Sequence, residues 1–216
     1  MWGFLLLTLG LASAGNYDSV QVSQLPLPTP RVILHVGGYH AEEAGGYANI
    51  VGDRVVFIES MPEVHRVCER TAARYGQACL NYLFWDEDSA QIYLQVTMAS
   101  EDCAQNSVVS ELAAGIEQFP EVRRATDSGK LRLIASRLDV LMAKPSSILR
   151  HNYTDVVINV HGVELQVLRG MGTLLTELPI ERAVIETSTA SMHGNQALHE
   201  KVLYVMQSVG FMCVEG

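Results

Sequence analysis

The stretch Asp155-Val156-Val157-Ile158-Asn159-Val160-His161-Gly162-Val163-Glu164-Leu165-Gln166-Val167-Leu168 decides how this chain is read. Residues 155–160 read as a strand buried on both faces, because Val156, Val157, Ile158 and Val160 form a nearly continuous apolar run. His161 and Gly162 make a turn, after which Leu165, Leu168, Met171 and Leu175 recur on one helical face. Strand, tight turn and helix form the unit of an open α/β sheet, where ligands bind just beyond the carboxyl ends of the strands. Asn159, His161 and Glu164 therefore stand where chemistry is expected.

The same unit recurs on either side. Residues 32–36 read as a first strand ending at Gly37-Gly38, followed by a helix from about Ala41 that turns Ala44, Tyr47, Ala48 and Val51 inward and stops at Gly52. Residues 54–59 are a second strand, and Pro62 and Glu63 open a helix carrying Val64, Val67, Cys68 and Tyr75 before Gly76. Residues 79–85 and 91–96 read as a hairpin turning at Asp86-Glu87-Asp88-Ser89. Residues 98–130 are irregular, with one helix candidate over 109–116. Beyond them come a strand at 131–134, a short helix at 137–142 and a strand at 182–186. A final helix with Leu198, Val202, Val205, Met206 and Val209 stops at Gly210, and a last strand begins at Phe211. Strands alternating with helices predict a mostly parallel, doubly wound α/β domain over residues 31–216.

A chain of 216 residues, 48% apolar and 18% charged, supports one domain with a substantial core. The net charge of −9 and the absence of any Lys/Arg cluster argue against nucleic acid and against a polyanionic partner. Residues 1–14 read as a secretory signal: Trp2 to Leu11 is apolar, and Ala12-Ser13-Ala14 has the small-residue cleavage pattern. The run falls short of the roughly 20 residues needed to span a bilayer, so no stable membrane span is expected. Cleavage would place the protein in the secretory pathway or outside the cell; without it the location is cytoplasmic. Residues 15–30 are a Pro-punctuated, extended lead-in. Asn152-Tyr153-Thr154 is an N-glycosylation triplet, usable only on the secretory route. The four cysteines have no zinc-site spacing, and no metal is expected. Cys68, Cys79 and Cys213 lie in apolar runs and read as free buried thiols.

At the strand ends, Gly37 and Gly38 allow a close backbone approach. Glu59 follows about 20 residues on, where a ribose-binding acid sits in nucleotide-binding folds. A ligand containing a nucleoside is the expectation. The full dinucleotide glycine pattern is missing, which disfavours a nicotinamide cofactor. His35, inside an apolar strand, reads as a core histidine, whereas His40 remains available at the strand end.

Several motifs in order resemble the FkbM-type methyltransferase family. They are Ile33-Leu34-His35-Val36-Gly37-Gly38-Tyr39-His40-Ala41-Glu42-Glu43 with Tyr47, Phe57-Ile58-Glu59-Ser60-Met61-Pro62, Trp85-Asp86-Glu87-Asp88 and Arg137-Leu138-Asp139. Ile158-Asn159-Val160-His161-Gly162-Val163-Glu164-Leu165 with Leu168-Arg169-Gly170 is similar to the family's D-x-Q-G-x-E-L-x-V-L-x-G signature, and Ile185-Glu186-Thr187 resembles its fifth-strand end. The resemblance implies a Rossmann-like class I methyltransferase fold, binding S-adenosyl-L-methionine and methylating a hydroxyl of a carbohydrate or small molecule. By position it implies that Gly37 and Gly38 face the methionine part, Glu59 the ribose and Asp86 the adenine amino group. It also implies a closing antiparallel strand pair, and the expectation here is a sheet lacking the last antiparallel strand.

Two departures bear on catalysis. Asn159 replaces the signature's aspartate and His161 its glutamine. An amide cannot take a proton near neutral pH, whereas an imidazole with an unperturbed pKa of ~6.5 can. His161, Asn159 and Glu186 are the candidate catalytic residues. His161 reads equally as a packed or capping residue, and Glu164, in a helix's first turn, as a dipole-favoured structural acid. Two readings of function follow: an O-methyltransferase, or a methyltransferase-like binding or scaffold protein without catalysis.

Overall fold

In a computed structural model that describes residues 3–6, 31–95, 130–160, 162–187 and 199–214, short apolar segments form strands and amphipathic ones form helices. The first half comprises β1 (Gly3–Leu6), β2 (Ile33–Val36), α1 (Ala44–Val51), β3 (Val55–Ile58), α2 (Pro62–Ala73), β4 (Ala78–Leu80), β5 (Leu83–Phe84) and β6 (Gln91–Gln95). The second half comprises β7 (Lys130–Ser136), α3 (Leu138–Ala143), β8 (Asp155–Ile158), α4 (Glu164–Met171), α5 (Leu174–Glu177), β9 (Arg182–Ile185), α6 (His199–Ser208) and β10 (Phe211–Val214).

Seven strands form one sheet in the order β10-β1-β9-β8-β2-β3-β4, and every neighbouring pair is parallel. Period-two alternation sends successive side chains to opposite faces. Leu34, Val36, Val56, Ile58, Val156, Ile158, Ala183 and Ile185 meet Leu165, Leu168 and Met171 of α4 and Val202 and Met206 of α6. Ile33, Phe57, Val157 and Val184 meet Ala44, Tyr47 and Val51 of α1 and Cys68 and Ala72 of α2 on the other face. Each fully buried aliphatic side chain contributes about 2 kcal/mol of transfer free energy, so both helix layers are held chiefly by this burial. The doubly wound α/β architecture is thus as expected.

The amino ends of β8 and β9 are tied by charge. Asp155, almost fully buried, accepts from Arg31 Nε at 3.0 Å, from Arg31 Nη2, from Arg182 Nε at 2.7 Å and from Thr154 Oγ1 at 2.9 Å. A buried carboxylate is tolerated because hydrogen-bond donors surround it in this way.

Several expected elements differ. The strand expected over 79–85 is two strands in two sheets: β4 ends the main sheet, and β5 joins a small sheet of order β5-β7-β6. The break falls at Asn81, whose Nδ2 donates to the carbonyls of Glu59 (2.7 Å) and Ser60 (3.1 Å) and turns the chain out of the main sheet. The expected hairpin is not formed. β5 and β6 are separated by β7, which pairs parallel with β5 and antiparallel with β6. The helix expected to run on to Leu175 stops at Gly172, in the left-handed region at φ 55°, and Leu175 belongs to α5. Tyr75 lies beyond α2 and is 45% exposed. Cys68 and Cys79 are not free thiols but a disulfide, because α2 folds back on β4 and brings their Cα atoms to 6.0 Å.

Gly3–Leu6, within the stretch read as a signal, lies between β9 and β10 and is parallel to both. Cleavage after Ala14 would remove that strand. The lead-in at 15–30 and the helix candidate at 109–116 lie outside the described residues. No helix among the described residues is long and apolar enough to cross a membrane.

Candidate functional site

The chain winds outward from β2 in two directions, through β3 and β4 on one side and through β8 and β9 on the other. A crevice opens at such a reversal, beyond the carboxyl ends of the two central strands. The register is Ile58, Val36, Ile158 and Ile185 in one line across β3, β2, β8 and β9. The next residues, Glu59, Gly37, Asn159 and Glu186, therefore form a row along the crevice edge at strand spacings of about 4.8 Å. Gly37 N–H and Gly38 N–H donate to Ile58 O, Asn159 N–H to Val36 O and Glu186 N–H to Ile158 O, each at 2.9 Å.

Gly37 and Gly38 are required by packing. A Cβ on Gly37, whose φ is +86°, would overlap the carbonyl of Asn159, and one on Gly38 would press on Phe57. The turn that follows holds two non-glycine residues at positive φ, Tyr39 (45°) and Ala41 (56°). Each such residue costs on the order of 1–3 kcal/mol, and strain of this kind clusters at ligand sites. The rings of Tyr39 and His40 stack there with centroids 3.8 Å apart. His35 is a core histidine, 1% exposed, packed on Phe57 and 3.2 Å from Tyr47 Oη through Nδ1. Burial holds its pKa below the usual histidine range.

Glu59 Oε2 accepts from Tyr39 N–H at 3.0 Å and Oε1 from Met61 N–H at 2.8 Å, so one carboxylate joins the turn after β2 to the start of α2. Burial raises its pKa, and the backbone N–H groups of Met61, Tyr39 and Ser60 oppose the rise. Each oxygen keeps a lone pair for a hydroxyl donor.

Glu164 is the residue that sequence reasoning undervalued. It is 2% exposed, Oε1 accepts Gly162 N–H at 2.7 Å, and Oε2 has no partner. Burial, with a smaller contribution from the negative charge of Glu186, lifts its pKa to about 7. Asn159 Oδ1 is likewise buried without a partner, and burial also raises the pKa of Glu186. The signal in the sequence was an acid flanked by Val163 and Leu165 inside a buried helix turn. His161 lies outside the described residues.

Asp86 is not joined to this row by any hydrogen bond or ion pair among the described residues. It sits over α4, its Oδ2 3.7 Å from Arg169 Nη1, while its main-chain carbonyl accepts Arg137 Nη1 at 2.8 Å. Gly170 makes that approach possible, since a Cβ there would overlap the Trp85 carbonyl. Tyr39, Met61, Val64, Leu83, Trp85, Ala135, Val160 and Val163 form an apolar cluster beyond the carboxyl ends of the strands, which seats the small sheet beside the crevice.

The edge is rich in acceptors: the carboxylates of Glu59 and Glu186 and the partnerless buried Asn159 Oδ1 and Glu164 Oε2, with the Asn159 amide nitrogen as a donor beside them. The amides of Gly37 and Gly38, which a diphosphate would need as donors, are both spent on Ile58. The site suits a ligand rich in hydroxyl or N–H donors and carrying positive charge. No family model, no curated protein and no solved structure matches this chain.

Proposed function

We propose that the chain is an S-adenosyl-L-methionine-dependent methyltransferase of the FkbM type, acting on a hydroxyl of a sugar or small metabolite. The observation that carries the reading is the row of acceptors at the reversal between β2 and β8, with partnerless buried oxygens on Asn159 and Glu164 and no free amide pair at Gly37-Gly38. Together with the ordered motifs, it favours a cationic, nucleoside-containing cofactor over a dinucleotide.

Glu59 accepts the ribose hydroxyls through the lone pairs its backbone partners leave unused. Gly37 and Gly38 set the floor under the methionine part, and Tyr39 and His40 wall the turn above them. Asp86 takes the adenine amino group, its pairing to Arg169 being too long and too exposed to hold it strongly. When bound, the cofactor supplies an electrophilic sulfonium methyl. Glu164 Oε2 is the atom that takes the acceptor's hydroxyl proton, with Gly162 N–H fixing the other oxygen. A carboxyl titrating at about 7 is matched to that task at neutral pH. Glu186 completes the acceptor side. Holding the hydroxyl in line with the methyl supplies much of the rate.

Asn159, an amide where the family signature has a carboxylate, favours a second reading in which the cofactor is bound but no methyl is transferred. Methyl transfer to a panel of hydroxylated acceptors separates the two. Activity in the wild-type protein, reduced in Glu164→Gln, supports the enzyme; an inert wild type that gains activity as Asn159→Asp supports the binding protein.

A further inference from the structure

The end of the sheet opposite the crevice carries a different signal. Asn152-Tyr153-Thr154 is the sole Asn-x-Ser/Thr triplet in the sequence. Asn152 is exposed two residues before Thr154 enters the hydrogen-bond network of β8, and it lies on the rim of an open cavity of about 760 Å³ with Asp139, Arg150, Thr173 and Glu177. Independently, Cys68 and Cys79 are joined as a disulfide between α2 and β4, with Cys68 fully buried and Cys79 5% exposed. Disulfides of this structural kind form and persist in oxidising compartments, which in eukaryotes are also where asparagine is glycosylated.

We infer that the chain matures on the secretory route and carries an N-linked glycan on Asn152. The step forms a bond from Asn152 Nδ2 to C1 of an oligosaccharide and breaks the bond from that C1 to the diphosphate of its lipid carrier; the amide loses one proton and the lipid diphosphate leaves. In the folded protein Thr154 is 5% exposed. Its Oγ1 donates to Asp155 and accepts Val32 N–H at 3.0 Å. The triplet is therefore readable only before β8 docks, during synthesis. The apolar run over residues 2–11 is read at the same stage, before β9 and β10 exist to pair with it. The glycan sits at the amino end of β8, and the crevice lies at its carboxyl end, so the modification leaves the site open.

The test is expression of the full chain in cultured animal cells, with peptide:N-glycosidase treatment and peptide mass spectrometry. The wild type and Thr154→Ser are expected to lose the mass of one glycan on treatment, with Asn152 converted to aspartate, while Asn152→Gln migrates as the deglycosylated form and does not shift. Folded protein made in a bacterial cytosol is expected to be a poor acceptor for purified oligosaccharyltransferase. A wild-type chain with no glycosidase-sensitive shift overturns the inference, whether it is recovered from the cytosol or from the medium. None of these outcomes depends on the methyltransferase reading, which stands or falls on cofactor binding.

Discussion

The carbonyl of Asn159 fills the space in which Gly37 would carry a side chain. The two residues come from the ends of β8 and β2, so the two central strands are held together at their carboxyl ends by a contact that only glycine permits. Gly37→Ala meets that carbonyl and also a backbone at φ +86°. Overpacking and left-handed strain together are expected to cost about 2–5 kcal/mol. Gly46, inside α1 with nothing within 4 Å of a Cβ, is the control: Gly46→Ala should be neutral or stabilising by up to about 1 kcal/mol. Urea melts of the two variants check the contrast; equal stabilities would remove the packing argument.

The disulfide closes a short loop, its cysteines 11 residues apart. Its loss, by reduction or as the double variant Cys68→Ala with Cys79→Ala, is expected to lower stability by about 2–3 kcal/mol. Chemical unfolding with and without reductant measures it, and non-reducing peptide maps should recover the two cysteines in one linked species. Overlapping unfolding curves would mean that the bond is not formed in solution.

Glu164 makes stability depend on pH in a stated direction. Its carboxyl titrates at about 7 folded, against roughly 4.3 unfolded, so the folded state binds the extra proton between these values. Stability from this group is therefore fully present below the lower value, falls as pH rises through the window and is flat above it, by on the order of 3 kcal/mol in all. His35, with its pKa lowered by burial, contributes with the opposite sign, so the comparison is between the wild type and Glu164→Gln, which keeps an acceptor for Gly162 N–H. The variant is expected to gain on the wild type as pH goes from 5 to 8 in thermal melts. A constant difference across that range would mean Glu164 is ionised throughout.

Gly3–Leu6 bridges β9 and β10 in the sheet. A chain lacking residues 1–14 loses that bridge, and the amides of β10 and α6 are expected to exchange faster with solvent while those of β2, β3 and β8 stay protected. Hydrogen exchange on the two lengths of chain, with the intact mass of protein recovered from secreting cells, reports both the strand and the cleavage. Unchanged protection of β10 would show that β1 holds nothing.

The parallel frame was legible because residues 156–158 and 55–58 are wholly apolar and 33–36 is broken only by His35, the pattern of strands covered on both faces. That frame put Glu59, Asn159 and Glu186 within the last two positions of their strands and Gly37 after its own; in the structure all four are the first residue past a strand. What was not legible depends on contacts distant in sequence. β7 comes between β5 and β6 although it begins only at residue 130, so the acidic turn at 86–89 read as a hairpin. The bond from Cys68 to Cys79 needs α2 to fold back onto β4, and Asn81 looked like any strand residue until its side chain was found holding the carbonyls of Glu59 and Ser60. Glu164 read as a helix-start acid because the dipole alone accounts for an acid there, although its buried neighbours Val163 and Leu165 bracket it in sequence.

The central claim is that the crevice between β2 and β8 takes an adenosyl cofactor through Glu59. The most direct measurement is a calorimetric titration of the wild type and Glu59→Gln with S-adenosylhomocysteine, with NAD as the comparison ligand and melting temperature as the check on folding. The account predicts saturable binding of S-adenosylhomocysteine by the wild type and none of NAD. In Glu59→Gln, loss of a charged acceptor to the ribose hydroxyls should weaken affinity by about tenfold or more, since ~1.4 kcal/mol is a factor of ten. No binding of S-adenosylhomocysteine, or saturable binding of NAD alone, would contradict it.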